Sequence, residues 1–208
     1  MNLLILGATG PTGRYVVDRA LQSGDTITVL ARRPEALADL KDKIKVVVGD
    51  ATSKNDLVKA MMGQDAVIAT LGRGKSIRSN DLFTSAARAI VNAAKQAGVS
   101  RLVWLSSFGV GNTIQNATIV QKFMYRTLLR DLYVNKESSE KIIRGSKLNW
   151  TIVYPTALMN GPAKGMYQVK ERIKMKGAPR IRRADVADFM HKAAYSDEWS
   201  YRHAVITD

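Results

Sequence analysis

Six short apolar runs punctuate the chain as far as residue 154: Leu3 to Leu6, Ile27 to Leu30, Ile44 to Val48, Ala66 to Ala69, Leu102 to Leu105 and Thr151 to Tyr154. They are rich in β-branched and aliphatic residues and do not alternate with polar ones, which predicts strands buried on both faces of a sheet. Between them, apolar residues recur at helical spacing over Thr12 to Gln22, Lys54 to Met62, Asp81 to Ala97 and Lys136 to Arg144. Strand alternating with helix predicts parallel βαβ units joined by right-handed crossovers, hence a doubly wound α/β sheet. After Pro155 the rhythm breaks, and Gly161-Pro162, Gly165, Gly177 and Pro179 mark turns before a last helix from about Asp185 to Tyr195. In open sheets of this kind the ligand lies beyond the carboxyl ends of the strands, so the loops that follow each strand are where chemistry is expected.

At 208 residues, 46% hydrophobic and 24% charged, the chain has the composition of one globular domain. The amino-terminal apolar run has no basic stretch before it and is cut short by glycines. No later segment reaches the ~18 uninterrupted apolar residues of a spanning helix, so no transmembrane segment is expected. There is no cysteine, which excludes disulfides and thiolate metal sites and makes a cytoplasmic location the expectation. A formal charge of +14 predicts attraction to anions without choosing among nucleotides, acidic substrates, nucleic acid and membrane surfaces. Half of that excess lies between Lys164 and Arg183, where eight basic residues stand against Glu171 alone. A solvated basic face and a substrate-steering surface both fit. Tyr167 is the single aromatic residue in the stretch, so base stacking is poorly supported and no specific nucleic-acid partner is expected.

The strongest local signal is Gly7-Ala8-Thr9-Gly10-Pro11-Thr12-Gly13, directly after the first strand and opening the first helix. The glycines suit a tight turn, close approach of backbone to a diphosphate, and close packing of helix on strand, while the helix end favours the negative charge. Gly7, Thr9, Gly10, Pro11, Thr12 and Gly13 are therefore the candidate phosphate contacts of a dinucleotide, and the expected sheet is of Rossmann type. An NAD site places an acid at the end of the second strand; here the sequence reads Leu30-Ala31-Arg32-Arg33. A guanidinium there pairs with a 2′-phosphate in bidentate fashion, so NADPH is the expected cofactor, with Arg32 ahead of Arg33 as its ligand. Asp50, in Gly49-Asp50-Ala51, either accepts from the adenine amino group, with Ala51 leaving room for the ring, or caps the next helix. After the fourth strand, Leu71, Gly72 and Arg73 are candidate ribose and phosphate contacts.

Together these motifs resemble the atypical short-chain dehydrogenase/reductase family in its NAD(P)-binding, NmrA-like branch, and within it the flavin and biliverdin reductases. The resemblance covers nearly the whole chain through Val-Val-Gly-Asp at 47 to 50, Gly-Gln-Asp-Ala-Val-Ile at 63 to 68, Ala-Gly-Val at 97 to 99, Ser106-Ser107 and Arg183-Ala-Asp-Val-Ala-Asp188. It implies hydride transfer from the nicotinamide to a flavin (FMN or FAD), a linear tetrapyrrole or a small quinone-like acceptor. It also implies that Ser107, with Ser106 beside it, lies at the nicotinamide and orients the acceptor. The backbone of Pro155, Thr156 and Ala157 would contact the carboxamide. The wider family uses a Tyr-x-x-x-Lys pair; Lys136 falls at the lysine position, as a ribose contact or a surface residue, but position 132 is leucine. Ordinary tyrosine acid catalysis is therefore not expected.

The only histidines, His191 and His203, have no acidic partner at metal spacing, and there is neither a Gly-x-Ser-x-Gly elbow nor a phosphate-loop lysine. What remains is a single domain over 1–208 with substrate-side elements at about 108–135 and 155–183, acting on a small molecule as a monomer or homodimer. A cofactor-sensing regulator that turns nothing over is the alternative.

Overall fold

A computed structural model describes residues 1–72, 81–127, 129–175 and 177–208, and of Ile119, Val120 and Arg126 the backbone alone. Its centre is β1 (Asn2–Leu6), parallel to β2 (Thr26–Ala31) on one side and to β4 (Ala66–Ala69) on the other. Outward from β2 comes β3 (Lys45–Val48); outward from β4 come β5 (Arg101–Leu105), β6 (Asn149–Pro155), β10 (Arg202–Thr207) and β8 (Gln168–Lys170). All neighbours are parallel except β8, which runs antiparallel to β10. The winding reverses between β1 and β4, and a ligand crevice opens at such a switch point.

Alternate residues of β1 feed two cores. Leu4 and Leu6 face α2 (Lys54–Met61), α3 (Leu82–Ala97) and α5 (Arg130–Arg144), whereas Leu3 and Ile5 face α1 (Pro11–Gln22) and α6 (Arg183–Tyr195). All four side chains are fully buried, each burial being worth about 1.5–3 kcal/mol, which is why this strand reads as an unbroken apolar run. The expected Rossmann-type doubly wound sheet is what forms. β3 departs from the double burial expected of it: it is the sheet's edge, with Lys45 and Val48 exposed.

Three expectations about elements need correction. α5 starts at Arg130, six residues before the expected Lys136. Ahead of it, the apolar spacing over 112–135 suits one helix covering the site, but the span forms a 3-10 turn (Gly111–Asn116), then α4 (Ile119–Arg126), whose start is set by a reciprocal box between Thr118 and Gln121, then the opening of α5. Beyond the last helix, β10 inserts between β6 and β8 as a further parallel strand the apolar runs did not announce. The 155–183 stretch folds onto the sheet: β7 (Ala157–Met159) pairs with β9 (Arg180–Arg182), and β8 extends the main sheet. Among the described residues no helix is long and apolar enough to cross a membrane.

Candidate dinucleotide and acceptor site

The loop between β1 and α1 owes its shape to steric necessity at glycine. Gly7 has φ +83°, and a Cβ there would stand 2.7 Å from the Thr70 carbonyl oxygen. At Gly13 a Cβ would fall 2.1 Å from the Gly7 carbonyl oxygen, so the first turn of α1 lies directly on the loop. The Gly10 amide donates to the Gly7 carbonyl at 2.9 Å, and Gly10 is the residue that begins the helix. No side chain caps that helix, Pro11 occupies its first turn, and no acid lies there. The positive end of the helix dipole is thus left unopposed beneath a backbone that admits no Cβ, which fits a diphosphate. Thr9 and Pro11 are exposed at the rim, while Thr12 and Gly13 are buried.

Past the end of β2, Arg32 and Arg33 are both exposed. Arg32 Nη1 lies 3.9 Å from Asp50 Oδ2, so the arginine and the acid after β3 come together at one end of the crevice. Asp50 Oδ1 accepts from the amide and hydroxyl of Thr52, each at 2.7 Å. Burial pushes the Asp50 carboxyl up, but the Thr52 bonds and Arg32 outweigh it and hold it below the ordinary range. Helix α2 is capped by Ser53, which accepts from the Asp56 amide. The capping alternative for Asp50 is thereby removed. Ala51 is half-buried beside it. Following β4, Leu71 packs against the core and Gly72 is exposed, with open space where a Cβ would point. Arg73 lies outside the described residues.

At the exits of β5 and β6 the two serines separate. Ser106 is buried and donates to Glu140 Oε1 at 2.5 Å; Tyr154 donates to Glu140 Oε2, and Arg144 reaches the Tyr154 hydroxyl at 3.2 Å. Ser107 is half-buried, and its hydroxyl makes no hydrogen bond to a described residue. Lys136 is not a surface residue: it is 6% exposed, inside α5, with Nζ 4.7 Å over the Phe83 ring. Tyr133 donates to the Phe108 carbonyl at 3.0 Å and stacks on Tyr125 with ring centres 4.7 Å apart. Burial first, then Tyr125, pushes its hydroxyl well above the ordinary tyrosine range, which disfavours it as a proton source.

The segment after β6 is already committed to the fold. The Pro155 carbonyl accepts from the Phe108 amide at 3.0 Å, the Thr156 amide donates to Ile206 at 3.1 Å, and the Ala157 amide donates to Pro179 at 3.3 Å. The Thr156 hydroxyl meets that of Thr207. A carboxamide there would find carbonyl lone pairs rather than free amides.

Two acids that the sequence did not single out by themselves shape the site's walls. Glu140 is one; its signal is an acid one helical turn after Lys136. Asp185, fully buried, accepts from the amides of Lys164 and Gly165 and so fixes the loop between β7 and β8. Asp188 receives Arg19, Tyr167 and Lys192, tying α6 to α1.

A family model described as NAD(P)H-binding matches residues 7–197. The chain belongs to that NAD(P)H-binding family. Among relatives, a (4-alkanoyl-5-oxo-2,5-dihydrofuran-3-yl)methyl phosphate reductase of Streptomyces griseus is 29% identical over 94% of this chain and 56% of its own length. The chain spans 61% and 56% of the lengths of two such family relatives. ChuY, an anaerobilin reductase from Escherichia coli O157:H7, superposes with TM-score 0.83 at 24% identity over 99% of this chain and 96% of that one. A short-chain dehydrogenase/reductase of Veillonella parvula in complex with NADP gives 0.81 at 19% identity over 100% and 94%. At such identities the solved structures carry the family fold alone.

Proposed function

We propose that the protein is an NADPH-dependent reductase acting on a small conjugated acceptor, such as a flavin, a linear tetrapyrrole or a quinone-like compound. The observation that carries this reading is the uncapped start of α1 on glycines that tolerate no side chain, with Arg32 and Arg33, and no acid, beyond β2. The amides of that helix end hold the diphosphate and Arg32 takes the 2′-phosphate, with Asp50 and Ala51 beside the adenine and Leu71 and Gly72 along the ribose. When bound, NADPH supplies hydride. Ser107 offers the uncommitted hydroxyl that orients the acceptor, and Glu140 holds Ser106 so that the strand exit keeps its shape. Lys136, nearly a full turn after Tyr133 on α5, would contribute a buried positive charge near the ribose. Leucine at position 132 suits an acceptor that draws its proton from solvent. Two relatives described above are named as reductases, in keeping with this chemistry.

Titration with NADPH and NADH followed by a panel of flavin, tetrapyrrole and quinone acceptors tests the reading. Ser107→Ala is expected to lower kcat on the order of 10²-fold, as removal of one orienting donor does elsewhere, with NADPH affinity little changed. Tight NADPH binding with no oxidation across the panel would instead make the protein a cofactor sensor.

A further inference from the structure

A second feature adjoins the loop that carries Ser107. Between the 3-10 turn, α4 and the opening of α5 is a pocket of about 410 Å³, lined by Gly109, Tyr125, Arg130, Tyr133, Val134 and Glu137 among others. Its size is that of a small-molecule site. Its link to the serine loop is steric as well as sequential: Tyr133 holds the Phe108 carbonyl, and Gly109, at φ +98°, lies so close to Tyr125 that a Cβ would stand 2.4 Å from its ring. The two stacked tyrosines therefore close directly on the backbone two residues past Ser107.

The pocket's charge is lopsided. Glu137 is already paired with Lys141 at 3.1 Å, whereas Arg130 is exposed and its guanidinium forms no hydrogen bond or ion pair with a described residue. One uncompensated guanidinium beside two aromatic rings and the exposed Val134 is a recognition set for a planar, conjugated anion. We propose that this pocket holds the acidic arm of the acceptor, with Arg130 pairing its carboxylate or phosphate and Tyr125 and Tyr133 covering the adjoining apolar part. The assignment rests on the reductase reading for the identity of its ligand as acceptor, and it makes the enzyme selective for acidic acceptors over neutral ones sharing the same ring.

The test is flavin-fluorescence quenching on the full chain loaded with NADP⁺, using FMN and, as the same ring without phosphate, lumiflavin. FMN is expected to bind about tenfold or more tightly than lumiflavin, the scale of one charge-assisted bidentate pair. Arg130→Gln is expected to bring the two affinities together, and the KM for FMN in NADPH turnover should rise in step. Tyr125→Leu should weaken both flavins; should that variant fail to fold, Arg130→Gln, on an exposed helix position, still decides. Equal affinities in the unaltered protein, absence of FMN binding up to about millimolar concentration, or an Arg130→Gln ratio that does not move would each overturn the proposal, even with reductase activity intact. Conversely, the expected ratio without any NADPH oxidation would leave the pocket assigned as a site for planar anions and sink the reductase reading alone.

Discussion

Glu140 is 3% exposed, and the nearest groups to its carboxylate oxygens are two hydroxyls rather than a cation. Burial pushes its carboxyl above the ordinary range; the Ser106 and Tyr154 hydroxyls, then Arg144 and Lys136, pull it only part of the way back. Because the folded form holds its proton more tightly than the unfolded chain, the native state binds the extra proton between the ordinary and the raised value. Stability from this group is therefore full below the ordinary carboxylate range and is lost as pH rises toward the raised pKa. Glu140→Gln, which keeps shape and hydrogen-bonding capacity, should match the unaltered protein within about 1 kcal/mol at low pH and gain on it as pH climbs. Thermal unfolding between about pH 4 and 8 reads this out, and parallel curves for the two proteins would refute it. Ser106 and Ser107 look equivalent in sequence. What distinguishes them is a contact across 34 residues with Glu140, which depends on how α5 docks and has no local signature.

At the level of elements, legibility followed burial. Strands β1, β2, β4, β5 and β6 lie inside the sheet, where both faces demand apolar residues, and each appears as an apolar run within a residue or two of its observed bounds. Strands β7, β8 and β9 are three residues each and partly exposed, too short for any periodicity to register. Arg130 as the start of α5 was hidden because no side chain caps that end, whereas the capped starts of α2 and α4 have recognisable residues. The glycine loop was legible for the opposite reason: its requirement is absolute. Gly13→Ala places a methyl 2.1 Å from a backbone oxygen, which cannot swing aside as a side chain would, so α1 has to lift off the loop and carry its amides away from the diphosphate. We expect cofactor affinity to fall on the order of 10²-fold, about 2.7 kcal/mol, with far-UV circular dichroism preserved. Calorimetric affinity within twofold of the original would show that the helix does not need that proximity.

For the molecule as a whole, the question is whether its charge or its geometry chooses the cofactor. A net charge of +14 attracts every nucleotide, and that attraction weakens with salt for NAD⁺ and NADP⁺ alike. Arg32 acts only where an extra phosphate sits, although its exposure and the carboxylate of Asp50 at 3.9 Å temper the gain. The two contributions separate in thermal shifts, because a ligand that binds only the native state raises stability by RT ln(1 + [L]/Kd). At equal saturating concentrations, a tenfold preference for NADP⁺ is a difference of about 1.4 kcal/mol, or roughly 3–6 °C in Tm for a chain of this size. Arg32→Ala should collapse that gap while both nucleotides still stabilise the protein through the helix end, and added salt should reduce both shifts without making NAD⁺ the stronger ligand. A gap that survives Arg32→Ala would hand the 2′-phosphate to Arg33. Equal shifts in the unaltered protein would mean that net charge draws the dinucleotide in and that neither arginine selects it.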